Sequence, residues 1–70
     1  MENFKKDLEK CAHVYEVSKR HLEVFIHPIG GYGVYETLKR YGYKVSGANG
    51  RGGRIYRNGS KVVVLYFEEG

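Results

Sequence analysis

The dipeptide Asn58-Gly59 constrains this chain more than any other feature, because it stands between two β-forming runs, Arg54-Ile55-Tyr56-Arg57 and Ser60-Lys61-Val62-Val63-Val64-Leu65-Tyr66-Phe67. Asn-Gly so placed signals a two-residue hairpin: a type I′ turn needs positive φ at both central positions, and its twist matches that of the flanking strands. With Asn58 and Gly59 at the centre, Arg57 faces Ser60, Tyr56 faces Lys61, Ile55 faces Val62 and Arg54 faces Val63. Opposed residues share a face of the sheet. One face therefore carries Ile55, Val62, Val64 and Tyr66, and the other Arg54, Tyr56, Lys61, Val63, Leu65 and Phe67. The run from Val62 to Phe67 is apolar on both. Such a strand either lies at the centre of a sheet, with helices on one side and a loop or partner on the other, or supports a homodimer.

Upstream of the hairpin the pattern changes period. Phe4, Leu8, Cys11, Ala12 and Tyr15 recur at helical spacing behind Asn3, a suitable N-cap, so the chain opens with an amphipathic helix. Two readings of its far end compete. Val14, Val17 and the cluster Lys19-Arg20-His21 extend the helix to about residue 20, with cations at its negative end. Alternatively, the β-branched alternation His13-Val14-Tyr15-Glu16-Val17 is a strand, and the protein consists of two successive helix-strand-strand units. The longer helix is the reading adopted. Leu22, Val24 and Ile26 then alternate with polar and aromatic neighbours as a short strand ending before Pro28, and Gly30-Gly31-Tyr32-Gly33 is a turn. Val34, Tyr35, Leu38 and Tyr41 mark a second helix, Gly42 supplies its left-handed C-terminal cap, and Tyr43-Lys44-Val45 begins a strand. The fold expected is a small single α+β domain spanning 1–70, helix-strand-helix-strand-strand, with an antiparallel C-terminal hairpin and both helices on one face of the sheet.

Seventy residues suffice for one small core. The longest apolar run, Val62 to Phe67, falls far short of the roughly 20 residues that span a bilayer, so no membrane association is expected. The start lacks a basic leader followed by an apolar stretch, and a lone Cys11 cannot form an internal disulfide, which together predict the reducing cytosol. Asn58-Gly59-Ser60 matches a glycosylation sequon, but the turn explains it better.

Charge points to function. Residues 1–30 hold five Lys or Arg and five Asp or Glu, whereas residues 31–70 hold seven against three and so carry the entire net charge of +4. No acid lies between Thr37 and Phe67. A field of one sign attracts polyanions over a Debye length of roughly 8 Å in physiological salt. The binding residues expected from this half are Lys39, Arg40, Lys44, Arg51, Arg54, Tyr56, Arg57 and Lys61. Within it, Ser46-Gly47-Ala48-Asn49-Gly50-Arg51-Gly52-Gly53-Arg54 packs four glycines and two arginines into nine residues. Its backbone N–H groups can form an anion-binding nest while arginine grips phosphate, or its glycines merely let a hairpin loop turn. The Walker and dinucleotide-binding glycine patterns are both absent. Tyr32, Tyr35, Tyr41, Tyr43 and Tyr56 lie among these cations, an arrangement suited to base stacking beside neutralised phosphate. Tyr35 and Tyr41 fit the buried side of the second helix, which leaves Tyr56 as the functional tyrosine.

Catalytic and metal readings are weaker. Cys11, His13, His21 and His27 show neither a C-x-x-C motif nor a helical His pair, so no metal and no cofactor is expected. His21, Glu23 and His27 share one strand face, where a His beside a carboxylate makes an acid–base pair of the kind that cleaves RNA, but polar residues facing solvent explain them more simply. Leu38-Lys39-Arg40-Tyr41-Gly42-Tyr43-Lys44-Val45, the glycine-rich gap, and Arg54-Ile55-Tyr56-Arg57-Asn58-Gly59 with its β-branched strand resemble the helix-hairpin order of the HicA-type mRNA interferase toxins, over about 30 of the 70 residues. The resemblance implies a double-stranded-RNA-binding-like scaffold. That family's catalytic His precedes the first hairpin strand, where this chain has Gly52, Gly53 and Arg54, so the nuclease activity is not implied. The expected function is therefore non-enzymatic binding of RNA or DNA through the C-terminal half. The alternative is a small inhibitor or adaptor of the phage or plasmid kind, docking the same cations on an acidic surface of a protein such as a nucleic-acid enzyme or defence complex.

Overall fold

The computed structural model describes residues 2–26 and 31–67. Two helices and five strands follow in the order α1 (Glu2–Glu9), β1 (His13–Ser18), β2 (His21–Ile26), α2 (Gly31–Arg40), β3 (Lys44–Ala48), β4 (Arg54–Asn58) and β5 (Lys61–Phe67). The strands form one mixed sheet in the order β1-β2-β5-β4-β3, in which β2 and β5 run parallel and every other neighbouring pair is antiparallel. The protein is thus α+β. It is two meanders, α1-β1-β2 and α2-β3-β4-β5, joined along the parallel seam between β2 and β5. No helix among the described residues is long and apolar enough to cross a membrane.

The first correction concerns residues 10–18. The first helix ends at Glu9, a turn closes through Cys11 N–H to the Leu8 carbonyl (3.0 Å), and His13–Ser18 is the edge strand β1. Helical spacing through Ala12 and Tyr15 loses to β-branched alternation because β1 satisfies its backbone groups against β2, with Val14 opposite Val24 and Tyr15 opposite Glu23. Asn3 falls inside α1 and does not cap it. The strand count rises from three to five, since β3 also completes, pairing Lys44 with Arg57 and Val45 with Tyr56.

The second correction concerns the glycines before α2. Gly31, Tyr32 and Gly33 form the first turn of that helix; Gly30, with His27 and Pro28, lies outside the described residues. Gly33 sits where a Cβ would come within 3.3 Å of Cys11 Sγ, so its small size lets α2 approach the end of α1. At the other end, Gly42 adopts φ +81°, its N–H reaches the Lys39 carbonyl (3.1 Å) and the Tyr43 N–H reaches that of Leu38 (2.9 Å). These two bonds define a Schellman cap, with Leu38 and Tyr43 as its buried apolar pair, as the position of Gly42 implied.

The hairpin turn is real but lies one residue further on. Asn58 pairs with Lys61, Arg57 with Val62 and Tyr56 with Val63, so Gly59 and Ser60 are the central residues. Gly59 alone of these has positive φ (+60°), which makes the turn type II′ in place of type I′. Asn58 is held in the strand because its Nδ2 donates to the Tyr41 carbonyl (2.8 Å) beyond the end of α2. Moving the turn by one residue shifts the pairing by two, so each side chain stays on the face expected for it.

The core gathers Phe4 and Leu8 of α1, Val34 and Leu38 of α2, Tyr43, and the inward residues Leu22, Val24, Ile26, Val63 and Leu65 of the two seam strands. β5 is the central strand, bonded on both edges, with the helices against one face and the glycine-rich loop over part of the other. Phe4 stacks on Tyr43 (4.5 Å between centroids) and packs against Tyr41 (5.0 Å), whose hydroxyl donates to Asp7 Oδ2 at 2.7 Å. Tyr35 and Tyr41 pack against the core, as their place in the second helix implied, Tyr43 is part of it, and Tyr56, the tyrosine expected to be functional, is half-buried against it as well.

Candidate functional site

Strand periodicity sends alternate residues of the seam to the opposite, open face of the sheet. There the pairings lay out two rows: His21, Val62, Arg57 and Lys44 in one, and Tyr15, Glu23, Val64, Ile55 and Gly47 in the next. Beyond them Phe25 lies opposite Tyr66, their rings stacked at 5.1 Å, with Tyr15 edge-on to Phe25 at 5.4 Å.

Over this face arches the glycine-rich segment between β3 and β4, organised by Asn49. Its Oδ1 accepts from the N–H groups of Arg51 (3.0 Å) and Gly53 (2.8 Å), its own N–H donates to the Gly53 carbonyl (3.0 Å), and its Nδ2 donates to the Tyr66 hydroxyl (2.8 Å). The loop is thus neither slack nor an open nest. The amides of Arg51 and Gly53, which a phosphate nest would use, already serve Asn49. Gly52 has φ +82°, and Gly53 is buried where a Cβ would lie 2.8 Å from the Tyr66 ring and 2.9 Å from Val64 Cγ1. Only a glycine lets the loop lie this close to the sheet.

Between loop and sheet runs an open groove of about 740 Å³. Val62, Val64 and Ile55 give it an apolar lining; Arg51, Arg57, His21, Glu23, Asn49 and Tyr66 supply its polar groups. Neither arginine forms an ion pair with any described residue, and Glu23 is likewise unpaired. His21 Nε2 is enclosed with no hydrogen-bond partner among the described residues, a state that costs about 1–3 kcal/mol for a buried polar group.

The eight expected binding residues do not form one patch. Arg51 and Arg57 line the groove, with Lys44 paired beside Arg57. Arg54, Tyr56 and Lys61 alternate onto the core-facing side of the hairpin, where Tyr56 is half-buried beside Tyr35 (6.5 Å between rings) and Arg54 and Lys61 are exposed. Lys39 and Arg40 sit exposed on the last turn of α2. Conversely, His21, Glu23, Asn49 and Tyr66 border the groove but were not among the expected binders. The shared face of His21 and Glu23 was legible from strand parity, but their nearness to Arg51 and Arg57 arises only from the β2–β5 seam. Comparison of the chain with family models, curated proteins and solved structures finds no match.

Proposed function

We propose that the protein binds nucleic acid, without catalysis, through the open face of its sheet. The observation that carries this reading is the convergence of Arg51 and Arg57, both free of acid partners among the described residues, on an open groove beside the aromatic row of exposed Tyr15 and half-buried Phe25 and Tyr66. Arginine makes paired hydrogen bonds to phosphate oxygens, and aromatic rings beside such cations suit unpaired bases. Lys44 extends the cationic row along the sheet.

Three phosphates neutralised by Arg51, Arg57 and Lys44 give a log–log salt slope of about −2 on a single strand. Filter binding of short RNA and DNA strands at two salt concentrations measures it. Binding at low salt that falls with this slope is the expected result. Absence of binding at low salt removes the reading and turns attention to an acidic protein surface as the partner of the same cations.

A further inference from the structure

The groove holds one feature that a generic polyanion site has no use for. Glu23 is half-buried beside Val64 and shares its surroundings with two arginines, yet pairs with neither. A carboxylate there repels a passing phosphate chain, so it weakens binding of a plain polyanion. It strengthens binding only of a ligand that presents hydrogen-bond donors to it while its anion rests on the arginines. A nucleotide with donors on its base is such a ligand, and the groove volume of about 740 Å³ lies within the roughly 300–1,000 Å³ typical of small-ligand sites.

The bases differ in what they offer a carboxylate. An ionised carboxylate only accepts, through two oxygens side by side. On the Watson–Crick edge, adenine and cytosine each set one donor beside a ring acceptor, and uracil offers one N–H flanked by carbonyls. Guanine alone sets two donors together, N1–H and the N2 amine, with O6 as an acceptor beside them. His21 lies two residues from Glu23 on the same strand face, and its imidazole borders the groove. Its Nε2 has no partner among the described residues, so the ring gains by reorienting when a ligand offers an acceptor such as O6.

We infer that the groove selects an unpaired guanosine unit of single-stranded nucleic acid, with its Watson–Crick edge on Glu23 and His21, its base over Val62, Val64 and Ile55, and its phosphate on Arg51 and Arg57. This rests on the nucleic-acid reading above and adds base identity and strandedness to it. Pairing the guanosine with cytidine consumes the same edge and abolishes the preference.

The test is fluorescence anisotropy on the full chain with short uridine strands that carry one central guanosine, inosine or adenosine, alone or annealed to a complement. The guanosine strand binds at least about tenfold tighter than the adenosine strand, consistent with the roughly 1–3 kcal/mol of a good bidentate base contact. Inosine, which lacks the N2 amine, falls between them, and annealing removes the difference. Glu23→Gln distinguishes the inference by sign. Loss of a negative charge tightens a plain polyanion on every strand, whereas the inference requires weaker binding of the guanosine strand and unchanged or tighter binding of the others. Should that variant fail to fold, by circular dichroism, the inosine and adenosine strands on the unaltered protein still decide. Equal affinity for all unpaired strands overturns the inference and leaves nucleic-acid binding standing; no binding of any strand at low salt overturns both.

Discussion

The two faces of the sheet are made from the same strands and do opposite work. On the core-facing side, Leu22, Val24, Ile26, Val63 and Leu65 meet α1 and α2 with no solvent exposure, and Tyr41 at the margin of the helices is tied to Asp7. On the open side, Val62 and Tyr66 keep partial exposure, and Arg51, Arg57 and Glu23 are charged groups with no ion-pair partner among the described residues. The difference teaches where to look for function in a small domain. Full burial on one side holds the fold, while the charged groups gathered round the groove on the other are those on which the proposed binding rests.

The largest effect expected from breaking this contrast comes from truncating neighbours on β5. Leu65→Ala, at a fully buried position, costs about 2–5 kcal/mol, whereas Val62→Ala on the open face costs about 1 kcal/mol, both read from denaturant midpoints. Equal losses would mean that the open face is packed as tightly as the core.

Glycine substitutions come next. Gly53→Ala forces a methyl group against the Tyr66 ring and Val64 and costs about 1–3 kcal/mol, and it also lifts the loop so that strand binding weakens. Gly59→Val strains the first central position of a type II′ turn by about 1–2 kcal/mol, but Gly59 is not part of the groove lining, and the variant leaves affinity unchanged in the folded protein. Thermal melts and anisotropy on both variants separate loop from turn. A Gly53→Ala protein with native melting and binding would show that the loop does not need its close approach.

Charge removal sharpens the comparison directly. Arg51→Ala with Arg57→Ala, and Arg54→Ala with Lys61→Ala, each delete two cations, the first pair from the groove and the second from the core-facing side of the hairpin. The groove pair loses about tenfold in strand affinity, about 1.4 kcal/mol, and the other pair loses little. Matching losses would reduce the site to diffuse attraction by the basic half.

The smallest expected effect is the pH response of the clamp between the helices. The Tyr41 hydrogen bond, and with it Lys10, holds the Asp7 carboxyl below its ordinary 3.8. The stabilisation is present above that value and is lost as acid takes the pH down through the lowered pKa. At the alkaline end the same bond to Asp7 raises Tyr41 above 10.0, and burial raises Tyr43. That contribution is present below pH 10 and fades as the pH rises through the raised values. Melting temperature against pH measures both limbs, and Tyr41→Phe flattens the acid one. A limb unchanged in that variant would remove the clamp from the account.

Much of the fold was legible because it is written locally. The alternation of Leu22, Val24 and Ile26, the cap at Gly42 and the glycine at the hairpin turn each depend on a handful of consecutive residues and a fixed period. Residues 13–17 were not, because helical and strand spacing coexist there and pairing with β2, outside the segment, selects between them. The same holds for the candidate site. Arg51 and Arg57 stood out by charge and composition, but Glu23 and His21 lie in the half whose charges cancel, and Tyr66 read only as one ring of a strand. The sequence by itself determined which residues share a face, since parity along a strand survives even a misplaced turn. Only the tertiary structure decided which faces meet. The parallel β2–β5 pairing sets His21 beside Val62 and Glu23 beside Val64, joining segments about forty residues apart, and no local period along a chain encodes a contact across that distance.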